Sequence, residues 1–209
     1  MKFLVLFGVT VLFGVANSLS KGDCWRFKSI ECTFDLIGTY QDDSFCGRHK
    51  QEMYCIANPA IECDMSFKDK AEYLKQIWER ICEKNTHIHK ELDANVECFM
   101  KGVAEPKCTK SVANLMKEDK YDDMNDLQKE ACRHFEETKE CQLQSIIDNC
   151  GKNVATLYKT VFGPVADVER AVCDDVILPA EDHYYTRNRT ARAIRPGIFG
   201  PMGHIFAFL

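Results

Sequence analysis

The sequence predicts an all-α fold, a disulfide-rich helical bundle organised as two pseudo-repeated six-cysteine halves. Three observations predict it. Apolar residues recur at helical spacing in several separate stretches, twelve cysteines all lie beyond an N-terminal apolar segment, and the spacings between those cysteines repeat. Runs of alternating polarity closed by Asn-Gly or Asp-Gly turns are missing, so no strand is expected.

The chain opens with Lys2, an apolar run from Phe3 to Val15, and the small residues Ala16-Asn17-Ser18. Charge, apolar run and small residues in that order read as a secretory signal peptide within residues 1–20, with cleavage after Ser18 or Ser20. A membrane-spanning helix needs about 20 apolar residues, and this run is shorter, so no membrane anchor is expected. Secretion places the cysteines in an oxidising compartment, where an even set reads as paired. They are Cys24, Cys32, Cys46, Cys55, Cys63, Cys82, Cys98, Cys108, Cys132, Cys141, Cys150 and Cys173. No two lie close enough for a zinc ribbon or a redox-active CxxC, so neither metal nor cofactor is expected.

The body, residues 21–178, carries five helical stripes. The weakest comes first: Phe27, Ile30, Phe34 and Ile37. Leu74, Ile77, Trp78, Ile81 and Cys82 share one face of the clearest helix, and Ser66-Phe67-Lys68-Asp69 reads as its capping box. Ile88, Leu92, Val96, Phe99 and Met100 make the next. Met124, Leu127, Ala131 and Phe135 precede Leu143, Ile146, Ile147 and Cys150. Gly163-Pro164 is expected to break a helix running from Asn153 to Val172. Trp25 and Trp78 read as packing residues.

The intervals between successive cysteines are 7, 13, 8, 7 and 18 residues in the first six and 9, 23, 8, 8 and 22 in the last six. Cys24-Trp25 echoes Cys98-Phe99, Cys32-Thr33 echoes Cys108-Thr109, and Glu-Arg precedes the last cysteine of each set. A duplication with repeats 24–82 and 98–173 predicts that disulfides stay within each half and that one pairing recurs. Six cysteines allow 15 pairings, and the spacing alone does not choose among them.

This pattern, and above all the runs Cys46 to Cys63 and Cys132 to Cys150, resembles the twelve-cysteine secreted domain family of unknown function found in nematodes and arthropods. More loosely it resembles insect haemolymph glycoproteins of similar size. The resemblance implies a secreted helical domain with six disulfides. It implies no catalytic residue, because no activity defines the family.

No nucleophile elbow, zincin motif, P-loop or dinucleotide fingerprint occurs. His87 and His89 lie two apart, which on a helix turns them to different sides, and they read as solvated loop residues. His134 adjoins a cysteine expected to be bridged. The acid pairs Asp42-Asp43, Asp122-Asp123 and Asp174-Asp175 read as surface or helix N-terminal charges. Net charge is −5, and most of the basic excess lies in the tail, so an acidic body argues against nucleic acid or anionic membrane as partner.

The leading expectation is a secreted, non-enzymatic binding or structural protein, one variant of which carries an apolar small molecule. The alternative is a venom or defence component acting on a protein target. An enclosed apolar cavity would favour the carrier, an exposed apolar patch a protein partner, and a cleft with converging titratable groups an enzyme.

Residues 179–209 change in composition, with Pro179, Pro196 and Pro201, glycines, four arginines and an apolar Ile205–Leu209, and read as a flexible tail. Asn188-Arg189-Thr190 is an N-glycosylation acceptor at Asn188. Arg192 and Arg195 end basic spacings that a processing protease could read, although an uncleaved tail is the simpler expectation. Intact-mass measurement of the secreted, deglycosylated protein checks this segment. A mass that includes Leu209 is the expected result, and one ending at Arg192 or Arg195 would establish processing.

Overall fold

In the computed structural model, residues 20–36, 44–108, 110 and 124–178 are described. Residues 1–19 of the expected signal segment, Ile37, the first two acid pairs, and the tail with Asn188, Arg192 and Arg195 lie outside them. The described residues include seven α-helices and a π-helical turn, with further helical residues at 106–108 and 110 and no strand among them. The helices are α1 (Lys21–Leu36), α2 (Phe45–Glu62), α3 (Lys68–Ile81), α4 (His87–Val103), α5 (Met124–Arg133), α6 (Phe135–Cys150) and α7 (Lys152–Val172). The π turn, Cys173–Ile177, continues directly from α7.

All twelve cysteines are paired, and the pairing stays within each half. Cys24 bonds Cys63, Cys32 bonds Cys55 and Cys46 bonds Cys82. In the second half Cys98 bonds Cys150, Cys108 bonds Cys141 and Cys132 bonds Cys173. Each set joins first to fifth, second to fourth and third to sixth. The halves therefore share one covalent plan. A first helix (α1 or α4) is stapled to a central helical run (α2, or α5 with α6), and that run is tied to the end of a last helix (α3 or α7). The noncovalent packing follows the same plan, with α1 on α2 and α2 on α3 matched by α4 on α6 and α6 on α7.

The equivalent helices α3 and α7 then meet each other between the halves. Their contact is aromatic. Trp78 of α3 is fully buried, with Phe45 6.0 Å away in a stacked arrangement and Phe162 of α7 edge-on at 6.2 Å. Phe162 also meets Phe99 of α4 at 6.3 Å and Tyr158 at 5.0 Å. Rings of this size each remove a large apolar area from water, and edge-on or offset pairs add about 0.5–1.5 kcal/mol beyond that area. Leu74, Ile81, Leu92, Ile146, Val161 and Val168 complete a core with no exposed surface.

The stripe on α3 is placed as its spacing predicts, with Leu74, Trp78 and Ile81 buried and Ile77 packed at the margin. Leu127, Ala131 and Phe135 are likewise buried. On α4, Leu92 and Phe99 are buried while Ile88 lies half-buried against the core.

Three expectations are corrected. The capping box at Ser66 does not form: α3 begins at Lys68 with Phe67 before it and no side-chain cap. Phe67 is drawn into the core instead, and the Ser66 hydroxyl donates to Asp175 of the π turn. Gly163-Pro164 does not end the helix, which runs unbroken from Lys152 to Val172. A residue before proline resists the helical conformation partly through its Cβ, and Gly163 has none. Burial of Val161, Phe162, Val165 and Val168 around the proline offsets the lost backbone hydrogen bond, which otherwise costs about 3 kcal/mol. The third correction concerns α1, whose expected core face points outward.

Gly151 divides α6 from α7. Its φ of 88° lies in the region that glycine enters without strain, so the chain reverses there and each helix keeps its own axis. Gly102 serves a different purpose. A Cβ at that position would lie 2.5 Å from Ile146 Cγ1 and 3.4 Å from the Ile146 backbone, so α4 crosses α6 at a distance only glycine allows. Gly102→Ala is expected to lower stability by about 1–3 kcal/mol in urea denaturation. Gly22→Ala, whose Cβ would meet only Val176 Cγ1 at 3.6 Å, is expected to change it by no more than about 0.5 kcal/mol.

Candidate functional site

The outer face of α1 is the feature the core does not explain. Cys24 and Cys32 bond Cys63 and Cys55, so the side of α1 that carries them is held against α2. Trp25, Ser29 and Thr33 follow on that side at helical spacing and are buried. The Trp25 indole packs edge-on to Phe67 at 6.3 Å, and its Nε1–H donates to the Ile56 carbonyl at 3.2 Å. The Thr33 hydroxyl satisfies itself on the Ser29 carbonyl at 2.8 Å.

With that side inward, Phe27 and Phe34 stand 67% and 56% exposed, with Ile30 half-buried between them. The stripe that its spacing predicts to face the core is therefore a solvent face. Two disulfides and a tryptophan on the opposite side outweigh three smaller apolar residues. The cations of α1 are drawn to other elements. Lys21 pairs with Asp64 at 2.5 Å, Lys28 pairs with Glu62, and the Arg26 Nη2 donates to the Val176 carbonyl at 2.9 Å. Glu31, one turn beyond Phe27, is exposed beside the rings.

Alignment of the halves by their cysteines sharpens the contrast. Trp25, one residue after Cys24, corresponds to Phe99, one after Cys98, and both are buried. Phe27, three after Cys24, corresponds to Lys101. Phe34, two after Cys32, corresponds to Lys110. Both lysines are exposed, and Lys101 pairs with Glu97 at 2.7 Å. At the position of Phe27 the second half carries a solvated lysine on α4, so a ring there is not a requirement of the shared plan.

The titratable side chains are mostly committed to structural partners. His89 is not a loop residue: it sits on the first turn of α4, 17% exposed, with Nδ1–H directed to the Ile81 carbonyl at 3.1 Å and Nε2 3.4 Å from Asp93. It thereby closes the end of α3 beside the Cys46–Cys82 bond. His87, also helical, is 85% exposed and lies 3.4 Å from Glu91. His134 lies between Glu130 and Glu137, and its neighbour Cys132 is bridged. Asp174 pairs with Arg170 at 3.1 Å. Asp64 is held by Lys21 and Lys68, whose hydrogen bonds lower its carboxyl to about 2. A pair that sequence reasoning passed over is His49 and Glu52 on α2, 2.6 Å apart and nearly buried beside Phe45 and Trp78. Their i, i+3 spacing on a helix rich in apolar residues is the signal that marks them. No group of His, Cys, Asp and Glu that could hold a metal ion occurs among the described residues.

A shallow, open depression of about 270 Å³ lies between α3 and α7, lined by Asp69, Lys70, Tyr73, Pro164 and Asp167. It lacks the enclosure of a carrier cavity, and three charged residues edge it. No helix among the described residues is long and apolar enough to cross a membrane.

These features define a class: an all-helical, two-half scaffold cross-linked by six disulfides, with an apolar face displayed on its first helix. The chain belongs to the family described as Domain of unknown function (DUF19), whose profile matches residues 26–174. No curated protein and no solved structure matches it.

Glu169, half-buried on α7, is pushed up to about 8 by loss of solvent. A raised carboxyl binds a proton in the folded state that the unfolded chain has released, so stability falls as pH rises from about 4.5 to about 8. Glu169→Gln is expected to flatten that decline and raise stability at pH 8, by of the order of 2–4 kcal/mol, with little effect at pH 4. Urea midpoints across that range check it, and parallel pH profiles for the two proteins would contradict it.

Proposed function

We propose that the protein is secreted, has no enzymatic activity, and binds a protein partner in extracellular fluid through the outer face of α1. The observation that carries this reading is the exposed Phe27–Ile30–Phe34 face, built on a helix that two disulfides hold rigid. Rings fixed on a stapled helix lose little conformational freedom on binding, and aromatic residues are the commonest anchors of protein interfaces. The six disulfides fit the oxidising compartment that the N-terminal segment predicts, and the nematode and arthropod provenance implied by the family resemblance belongs to the same reading. Each described histidine is engaged by a carboxylate, a carbonyl or both, which favours a structural over a catalytic role for them.

A defence or venom component acting on a protein target would use the same face, so the two readings differ in partner and not in mechanism. The carrier variant draws less support, because the depression between α3 and α7 is open and edged by charge.

The test is the double variant Phe27→Ser/Phe34→Ser. The partner retained by the native protein from its own fluid is identified, and its affinity is measured for both proteins. Burial of each ring contributes about 1.5–3 kcal/mol, so loss of both is expected to weaken binding at least about tenfold. Circular dichroism should be unchanged, since neither ring enters the core. Equal affinities would refute the α1 face as the recognition surface.

A further inference from the structure

We propose that the partner of the Phe27–Ile30–Phe34 face is a basic amphipathic helix of another protein, laid along α1 with its apolar side on the rings and its lysines or arginines at Asp23 and Glu31. This rests on the reading of that face as a recognition surface, and it names the chemistry the surface recognises.

At about 100° per residue, Asp23, Phe27, Ile30, Glu31 and Phe34 share an arc of about 100° on the side of α1 away from the buried Trp25, Ser29 and Thr33. The intervals from Phe27 to Ile30 to Phe34, three residues and then four, are those of the seam along which two helices pack. Phe27 and Phe34 lie about 10 Å apart along the axis, two turns, which a helix laid alongside matches with apolar residues at the same interval. The same-side residues of an extended segment repeat about every 7 Å and fit that spacing less well.

The charge on this arc has one sign. Asp23 and Glu31 are both exposed, one turn to either side of Phe27, and no basic residue of α1 falls between them on the arc. Lys21 and Lys28 project to one flank, where they pair with Asp64 and Glu62, and Arg26 projects to the other, where it reaches the Val176 carbonyl. The Ser20 hydroxyl donates to Asp23 at 2.7 Å, which satisfies an oxygen without cancelling its charge. A helix with lysines or arginines beside its apolar side is complementary to such an arc, and an acidic one is repelled.

A second copy of this chain fits poorly. A two-fold pair that sets Phe27 against the other copy's Phe34 has its axis between Ile30 and Glu31, so the two Glu31 side chains are brought together. An anionic membrane surface meets the same acids. Three apolar side chains offer a few hundred Å², well below the roughly 1,200 Å² of a stable interface, which places the contact among the weak and reversible ones.

The test uses the full chain and two synthetic helical peptides of about five turns. Both carry leucines at i, i+3, i+4 and i+7 along one side, and the other side is lysine in one peptide and glutamate in the other. In fluorescence anisotropy at low salt the lysine peptide is expected to bind in the micromolar range, and the glutamate peptide at least about tenfold more weakly. Phe27→Ser/Phe34→Ser is expected to weaken the lysine peptide about tenfold. Glu31→Lys is expected to weaken it about threefold or more and to strengthen the glutamate peptide. Glu140→Lys, the same charge change at an exposed site on α6, is expected to alter either affinity less than about twofold. No binding, equal affinities for the two peptides, or equal effects of Glu31→Lys and Glu140→Lys would overturn the proposal. The partner drawn from the native fluid separates the two readings. Affinity for it that falls with the ring variant but not with Glu31→Lys defeats only the basic helix, and affinity independent of the rings defeats the recognition surface itself.

Discussion

Two disulfides spaced two turns apart on one helix decide which way that helix faces. Cys24 and Cys32 lie on the same side of α1, and their bonds to Cys63 and Cys55 leave it no freedom to roll about its axis. Much else depends on that constraint. It directs Trp25 into the core, brings Arg26 to the Val176 carbonyl, and sends Phe27 and Phe34 outward. A hydrophobic stripe normally sets the rotation of an amphipathic helix by gaining burial. Here covalent bonds set it, and the stripe on the far side is left in water.

This is also why α1 was the least legible part of the sequence. Periodicity identifies a helix and its apolar side, and for α3, α5 and much of α4 the apolar side is the inner side because nothing competes with burial. The period of Phe27, Ile30 and Phe34 is real, yet it marks a surface. The cysteine spacings contained the correcting information, but they give it only once the pairing is known. At Gly163-Pro164 a local rule met a tertiary one, since a glycine before the proline and a buried face around it let the helix continue. The Ser66 cap failed for a similar reason: Phe67 gains more from the core than the helix end gains from a serine hydroxyl. His49 and Glu52 were hidden because an acid among apolar residues reads as a solvated position unless its partner is known.

The duplication visible in the cysteine intervals has a counterpart in the packing. Matching helices α3 and α7 meet each other, so the same element of the plan joins the two halves. Trp78 and Phe162 sit at that junction. Departures from equivalence are then informative, because the shared scaffold acts as an internal control. Lys101 on α4 shows what the scaffold accepts where α1 carries Phe27. The central run is one helix in the first half and two in the second, α5 and α6, divided at His134.

Since every bond closes within its own half, the chain between Cys82 and Cys98 is the sole covalent bridge from one half to the other among the paired cysteines. It includes the exposed stretch Glu83-Lys84-Asn85, where Asn85 takes a positive φ of 72°. A peptide bond cut inside either half leaves pieces still tethered through sulfur. A single cut in this bridge would turn one molecule into two, joined only by the aromatic junction and its surroundings. Between Cys24 and Cys173 that bridge is the one stretch where a single cut separates the chain, and the two pieces then stay together only as firmly as the packing between the halves holds them.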